Sequence, residues 1–443
     1  MIDRIVKRDG RVVPFNRDKI TFAVLSAAVA VGGRDREAAE RVTDEVIRLL
    51  DRRAVPDSIP TVEEVQDLVE KALIERGHAR TAKAYIVYRY EHALKRAGRR
   101  SLTYSADNIP YEKLWEALSW AVDHGCVNLA QIAARVDKGR FSELVREGEQ
   151  FYAAELEDAA ERIRERLAEL KLVIVAGPSS SGKTTTTIKI EDRLRSEGAS
   201  FVPINADNFF LDLAEHPRDT GGDYDFETPQ ALDLALFNET LERLLVGERV
   251  QLPFYNFKTG RREGSSGALQ LAAGQILLLD SLHGLHPEMT AKVPESRKFR
   301  LYIETLSQVK DCTLQYVRWA DIRLLRRMVR DMQFRSYSPR QTIQHWHLVR
   351  RSELRYIVPR LREADAVVNS FLPFELPIMK HRLGELFPGF IRDFAADPER
   401  SDALDRARRI NELFREIPAW SDESVVPADS LLREFIGGSR YSY

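Results

Sequence analysis

The sequence predicts an α/β protein built on a parallel sheet flanked by helices, preceded by a mostly helical N-terminal domain and a helical connector. Three observations predict this. Leu172–Ala176 is a short, unbroken apolar run of the kind found in parallel strands buried on both faces; a glycine then breaks it, and a small-residue turn leads into a helical pattern. Two more strand-sized runs, Ser200–Asn205 and Gln275–Asp280, follow, the second ending in a carboxylate. Residues 1–95 complete a pattern of short strands and amphipathic helices before the first of these runs begins. The expected divisions are 1–95, a helical connector 96–170, a sheet domain 171–380 and a helical extension 381–443.

Composition narrows the function classes. A chain of 443 residues exceeds one core and suggests about three structural units. The formal net charge of −1 gives no global basic bias, so no nucleic-acid partner is expected. Only Cys126 and Cys312 are present, which argues against a disulfide framework or a cysteine-rich zinc module and for a reducing compartment. The N-terminal MIDRIVKRDG has no apolar signal core, and no segment approaches the ~20 apolar residues of a membrane span. A cytoplasmic protein with no membrane partner is expected.

In chain order, Arg4–Val6 and Val12–Phe15 flank an Asp9-Gly10 turn and read as a small hairpin. Asn16 can cap a helix carrying Ile20, Val24 and Ala27, and a second helix runs from about Arg36 to Arg53. Thr61-Val62-Glu63-Glu64 is a capping box that opens a third helix, with Val65, Leu68, Val69 and Leu73 on one face. In the connector, Pro110 suits the start of a helix whose Leu114, Trp115, Leu118, Ala121 and Val122 form a stripe expected to be core. Asp123, His124 and Cys126 lie close together, but three groups across a helix end read as structural rather than metal-binding.

The chemistry starts at Gly177. Gly177-Pro178-Ser179-Ser180-Ser181-Gly182-Lys183-Thr184 satisfies G-x-x-x-x-G-K-[ST] at every fixed position, between a strand and a helix. Glycines there permit close backbone approach, and successive N–H groups with the first helical turn, Thr185 included, offer partial positive charge to phosphates. Lys183 is placed to reach the β- and γ-phosphates of ATP, and the Thr184 hydroxyl to help hold Mg²⁺. Asp207, after the second strand, and Asp280, at the end of QILLLD, supply two carboxylates where ligands gather in an open parallel sheet. With Thr184 they form an expected oxygen set for the metal, and Asp207 is also placed to accept a proton.

Two stretches between those strands, 221–229 and 252–258, alternate aromatic and polar residues. Such segments either stack on a flat ligand while fixing its hydroxyls, or simply pack. Arg323, Arg326, Arg327 and Arg330 fall at i, i+3, i+4 and i+7, placing four cations along one helix face. They need solvent, nearby acids such as Asp321 and Asp331, or bound phosphate. Arg335 and Arg340 carry the basic run into a Ser/Pro loop that suggests a closing lid. Ala366–Asn369 reads as a last strand; the tail Leu431–Ser439 has no assignable role.

Two resemblances add to this reading. VKRDGR, the Phe15-Asn16 pair before DKI, TVEEVQDLVE and AKAYIVYR resemble the ATP-cone, the nucleotide-sensing domain of ribonucleotide reductases and of the repressor of their genes. By that resemblance Lys7, Arg8 and Lys19 face the phosphates of an adenine nucleotide effector, with Lys83 a further candidate. Residues 172 to about 380 resemble the uridine kinase and phosphoribulokinase branch of P-loop kinases through GPSSSGKTT, the Asp207 segment, GDYDFETPQALD, QLPFYNFKTGRR, ILLLDSLHGL and RLLRRMVRDMQFR. The tail REFIGGS and VRDMQFR resemble bacterial uridine kinase-like nucleoside kinases with an extra N-terminal domain. The resemblance implies that Asp207 is the base toward a nucleoside 5′-hydroxyl and that Glu227 binds ribose hydroxyls. It also implies that Tyr255 and Phe257 line the base pocket and that Arg327, Arg330 and Arg335 contact phosphates. The sequence departs from the family at Asp280, where a glutamate is usual, and at Gly260, where uridine and cytidine kinases have a pyrimidine-reading histidine.

The expectation is therefore an ATP- and Mg²⁺-dependent kinase for a hydroxyl of a nucleoside or related small molecule, homo-oligomeric, with an adenine-nucleotide effector at its N-terminal domain. A kinase of the same fold acting on a sugar phosphate, sugar acid or pantothenate-like acceptor is the nearest alternative. A non-catalytic adenylate sensor is the alternative from another class.

Overall fold

The computed structural model describes residues 3–6, 12–33, 35–53, 59–83, 85–86, 109–218, 228–335, 337–397 and 400–442, apart from a few side chains. The chain divides into two compact units, 1–106 and 107–443. Lys7, Arg8 and Glu227 lie outside the described residues.

In the first unit β1 (Arg4–Val6) pairs antiparallel with β2 (Val12–Pro14), and α1 (Asp18–Ala30), α2 (Arg36–Arg53) and α3 (Val62–Glu75) follow. Asn16, expected as the cap of α1, lies one residue before it: Arg17 takes the cap position without a side-chain bond, and Asn16 Oδ1 accepts the Asp18 N–H at 2.8 Å. The start of α3 is a complete capping box: Thr61 and Glu64 each accept from the other's backbone N–H. Val24, Val42, Val46, Leu68, Val69 and Leu73 make the core of this unit. Lys19 and Lys83 are exposed on its surface.

The second unit opens with three helices, α4 (Tyr111–Asp123), α5 (Leu129–Asp137) and α6 (Phe141–Arg164). Then come β3 (Leu172–Ala176), α7 (Lys183–Arg195), β4 (Ser200–Asn205), α8 (Leu234–Leu245), the antiparallel pair β5 (Val250–Asn256) and β6 (Arg261–Leu269), β7 (Gln275–Asp280) and β8 (Lys298–Glu304). After these lie α9 (Trp319–Phe334), α10 (Pro339–Ser352), β9 (Ala366–Asn369), α11 (Glu375–Leu383), α12 (Phe387–Ala395), α13 (Ser401–Arg415) and a single turn, Arg433–Ile436. The five-stranded sheet is wholly parallel in the order β4-β7-β3-β8-β9. All five residues of β3 are buried, as a strand covered on both faces requires.

The stretch 107–170 packs into the same core as the sheet: Leu129, Phe141, Leu144, Tyr152, Leu156 and Ile163 join Val173, Val175 and Leu301 in one cluster. The expected α4 stripe is corrected in part. Ala117 and Ala121 face inward, whereas Trp115 and Val122 are 57% and 60% exposed. The small alanines let α4 lie close to β9, which turns the bulkier residues outward. His124 Nδ1 and Cys126 Sγ contact the backbone carbonyls of Trp120 and His124, consistent with a structural role. No described helix is long and apolar enough to cross a membrane.

Candidate active site

The loop Gly177–Gly182 leaves the C-terminal end of β3, the central strand, and runs into α7. Two glycines are dictated by space and backbone. A Cβ on Gly177 would lie 2.3 Å from the Ile303 carbonyl oxygen. Gly182, at φ +90°, adopts a left-handed conformation, and a Cβ there would meet Leu431 Cδ1 at 2.4 Å. The Ser180 and Ser181 hydroxyls are buried without a hydrogen-bond partner. Burying hydroxyls unpaired is costly, so a pair of them in this loop fits a bound anion such as phosphate.

The loop backbone is braced by charged groups from distant elements. Arg323 Nη1 donates to the Ser179 carbonyl at 3.1 Å, and Glu353 Oε1 accepts the Ser179 N–H at 3.1 Å. Burial alone would raise the Glu353 pKa, but Arg323 and Arg350 more than offset this and hold it below the ordinary carboxylate range. Lys183 Nζ donates to the Pro178 carbonyl at 3.3 Å. Its pKa is pulled down by burial, against the opposing pull of Asp280 and Glu434. An ammonium turned back on a backbone carbonyl is free to exchange that partner for a phosphate oxygen.

Register brings the carboxylates together. Asn205 at the end of β4 aligns with Asp280 at the end of β7, and Asn205 Oδ1 accepts the Asp207 N–H at 2.9 Å, setting the short turn Ala206–Phe209. Thr184 Oγ1 donates to Asp280 Oδ2 at 3.1 Å. Asp280 is pushed up to about 6, chiefly by burial and also by Glu434 and Asp207, while Lys183 and Thr184 pull it down. Asp207 keeps an exposed side chain, yet the protein mass around the cleft raises its pKa, with Lys183 and Arg335 opposing. A hydroxyl and two carboxylates disfavoured as bare anions are the donor chemistry a hard divalent cation takes, so Thr184, Asp280 and Asp207 fit Mg²⁺. Among the described residues no cluster of three or more acidic, His or Cys side chains forms a metal site of protein ligands alone.

The same turn leads to an aromatic cluster. Phe210 lies 5.5 Å from Tyr255 and 5.8 Å from Phe257 between ring centroids, and it stacks on His216 at 5.5 Å. Tyr255 is 2% exposed, and its hydroxyl has no partner. Phe257 is 63% exposed. Of these residues Tyr255 lies on β5 and Phe257 in the turn that joins it to β6, while Phe210 and His216 come from the irregular chain beside the hairpin. Gly260 closes that hairpin at φ +67°, where a Cβ would press on Leu213 Cβ at 3.0 Å, and its carbonyl accepts the Leu213 N–H at 2.8 Å.

The four arginines of α9 do not share one role. Arg323 and Arg326 are fully buried: Arg323 pairs with Glu304 and Glu353, and Arg326 clasps Glu375 through two bonds of 2.6 and 2.9 Å. The remaining pair turns toward Asp331, a 3%-exposed carboxylate that meets Arg327 Nε at 3.2 Å, Arg330 Nη2 at 3.0 Å and Arg335 Nε at 3.8 Å. Arg327 Nη1 also reaches the Ser179 hydroxyl at 3.0 Å. The expected single cationic face is thus split by burial. Sequence reasoning missed Glu353, which holds the Ser179 N–H of the phosphate loop, and Glu434, which holds Thr185 in the first turn of α7. In the sequence Glu434 is marked only as half of a charged pair, Arg433-Glu434, between the apolar pairs Leu431-Leu432 and Phe435-Ile436.

A parallel sheet with this loop after its central strand defines a P-loop nucleoside triphosphate-binding protein. Residues 172–373 match the Phosphoribulokinase / Uridine kinase family, and residues 3–94 match the ATP cone domain. A uridine kinase of Deinococcus deserti is 28% identical over 195 residues, 44% of this chain and 84% of that protein. The N-terminal unit is 41% identical over 95 residues to a vitamin B12-dependent ribonucleoside-diphosphate reductase of Thermoplasma acidophilum, 20% of this chain and 12% of that protein. The solved structure of a "Possible Uridine Kinase" from Bacillus stearothermophilus aligns with TM-score 0.33 and 17% identity over 49% of this chain and 98% of that one. The chain carries a region that matches the ATP cone domain and an ATP-dependent kinase region that matches the phosphoribulokinase/uridine kinase family.

Proposed function

We propose that the protein transfers the γ-phosphoryl group of ATP to a hydroxyl of a nucleoside or a closely related small molecule. The observation that carries this reading is the shared end of β4 and β7, where Asp207 stands beside Lys183 and Asp280 and leads through one turn to the aromatic cluster.

In this mechanism the loop amides and Lys183 bind the phosphate chain, and Asp207 orients the acceptor hydroxyl and takes its proton. Tyr255, Phe257 and Phe210 offer the acceptor a flat apolar surface, and the unpaired Tyr255 hydroxyl offers it a hydrogen bond. Arg327, Arg330 and Arg335 trade Asp331 for the phosphates as the site closes and excludes water. Thr184, Asp280 and Asp207 would hold Mg²⁺, which neutralises charge developing on the transferring group.

Gly260 leaves open which base, if any, the acceptor carries, and a sugar-type acceptor is the second reading it favours. The test is ADP release from ATP and Mg²⁺ across nucleosides, pentose phosphates and sugar acids, with Lys183→Ala as blank. Nucleoside-dependent release supports the proposal. Release only with a sugar-type acceptor replaces it with the second reading, and none with any acceptor leaves a nucleotide sensor. Asp207→Asn is expected to abolish turnover while ATP affinity stays; equal loss of both would remove Asp207 as the base.

The ATP cone domain is proposed to regulate this activity through an adenine nucleotide. Deletion of residues 1–95 with unchanged rate, ATP dependence and oligomeric state would overturn that role. A cytoplasmic location belongs to the same reading.

A further inference from the structure

A carboxylate from the far end of the chain sits on the helix that follows the phosphate loop. Glu434 Oε2 accepts both the backbone N–H of Thr185, at 3.1 Å, and its hydroxyl, at 2.7 Å. Thr185 lies in the first turn of α7, where N–H groups lack an intrahelical carbonyl and the helix dipole favours an anion. The loop and this turn are the surface on which a triphosphate chain lies in a motif of this kind. Glu434 therefore takes a donor pair suited to phosphate.

The segment that carries it is firmly docked. Leu431 packs against Gly182, and Leu431, Leu432, Phe435 and Ile436 are all at most 2% exposed. Arg433 Nη2 donates to the carbonyls of Glu423 and Val426 at 2.7 Å each. Arg382 pairs with Glu423 and donates to the Ile436 carbonyl at 2.9 Å. None of these contacts involves the Glu434 carboxylate. It can rotate off Thr185 while the backbone that bears it stays in place.

We propose that Glu434 is an internal anion that competes with the nucleotide's phosphates for Thr185, so that nucleotide binding requires its carboxylate to swing away. This rests on the reading of the loop as a nucleotide site. A carboxylate and a phosphate cannot share one N–H and one hydroxyl as acceptors, and two anions held within a few Å in a partly desolvated cleft repel strongly. The opposite role, a brace that keeps α7 in shape for phosphate, predicts that losing Glu434 weakens binding. The two roles differ in sign.

The experiment is calorimetric titration of MgADP into the full-length protein and into Glu434→Gln and Glu434→Ala, at one fixed ionic strength, with thermal unfolding as the check of folding. Competition predicts that the alanine variant binds about tenfold tighter or better, the scale of one hydrogen bond to a charged group, and that the glutamine variant, which loses the charge but keeps an acceptor oxygen, also binds tighter but by less. If the alanine variant does not fold, the isosteric glutamine variant decides. Unchanged or weaker binding in the variants, with the wild type binding normally, overturns the competition and leaves the nucleotide site standing. Absence of binding to all three overturns the nucleotide site and the competition with it.

Discussion

Thr184 Oγ1 donates to Asp280 Oδ2 across the ends of β3 and β7, so the hydroxyl of the phosphate loop and the strand-end carboxylate are already paired. The Asp280 side chain reaches the Thr184 hydroxyl directly. Asp280→Asn is expected to raise the Mg²⁺ concentration needed for half-maximal turnover and to lower the maximal rate by about a hundredfold, the scale of losing one electrostatic contact to the reacting group. A magnesium titration of ADP release checks this, and an unchanged half-saturation would remove Asp280 from the metal's surroundings.

The split of the α9 arginines predicts two different phenotypes from neighbouring residues. Arg326 and Glu375 are both fully buried, and removing one partner of such a pair strands the other. Arg326→Ala is expected to cost about 3–5 kcal/mol of stability. Arg327→Ala, at the cleft, should leave the urea midpoint nearly unchanged and lower turnover. Equal stability losses would mean that Arg327 also serves the core.

Glu353 gives the stability a pH dependence of known sign. Its pKa is lower folded than unfolded, so its contribution is present above about pH 4.3, the ordinary glutamate value, and is lost as pH falls through the folded value. Glu353→Gln should therefore be less stable than wild type at pH 7, with the gap narrowing below about pH 4.3. Urea unfolding at pH 7 and pH 4 measures it. A gap that widens toward acid would contradict the assignment of the Arg323 and Arg350 pairs.

Gly260 cannot simply be replaced by the histidine that the resemblance to uridine and cytidine kinases leads one to expect there. Its φ of +67° and the contact with Leu213 make any side chain costly there, by about 1–2 kcal/mol for the backbone alone. Gly260→His is expected to lower the melting temperature and to leave acceptor preference unchanged or worse. A variant that gained activity on pyrimidine nucleosides at full stability would show that the hairpin tip adapts.

The parts of the site legible in the sequence are those written in consecutive residues. Leu172–Thr185 carries its own strand, turn and helix start, and the capping box at Thr61 and Glu64 needs only four positions. Strand ends with carboxylates placed Asp207 and Asp280 because a parallel sheet aligns such ends. Glu353 and Glu434 were out of reach, since they meet Ser179 and Thr185 across 174 and 249 residues and no local pattern encodes such a pairing. For α9, spacing set the angle of each arginine around the helix but could not say which angles the core would cover. Trp115 and Val122 on α4 show the same limit: a stripe of apolar residues is evidence for a helix face, while the inward direction was chosen by Ala117 and Ala121.

The sheet order has a consequence for how the protein is made. Leu172 of β3 pairs with Leu277 on one side and Lys298 on the other, so both neighbours of the central strand leave the ribosome about a hundred residues after it. At roughly 5–20 residues per second, that strand waits on the order of 5–20 s with both edges open. What it meets first is α6, synthesised just before it and contributing Tyr152, Leu156 and Ile163 to the core that covers Val173 and Val175. The helices preceding the sheet thus act as the nascent chain's own cover, shielding its most apolar strand until the partners that complete it arrive.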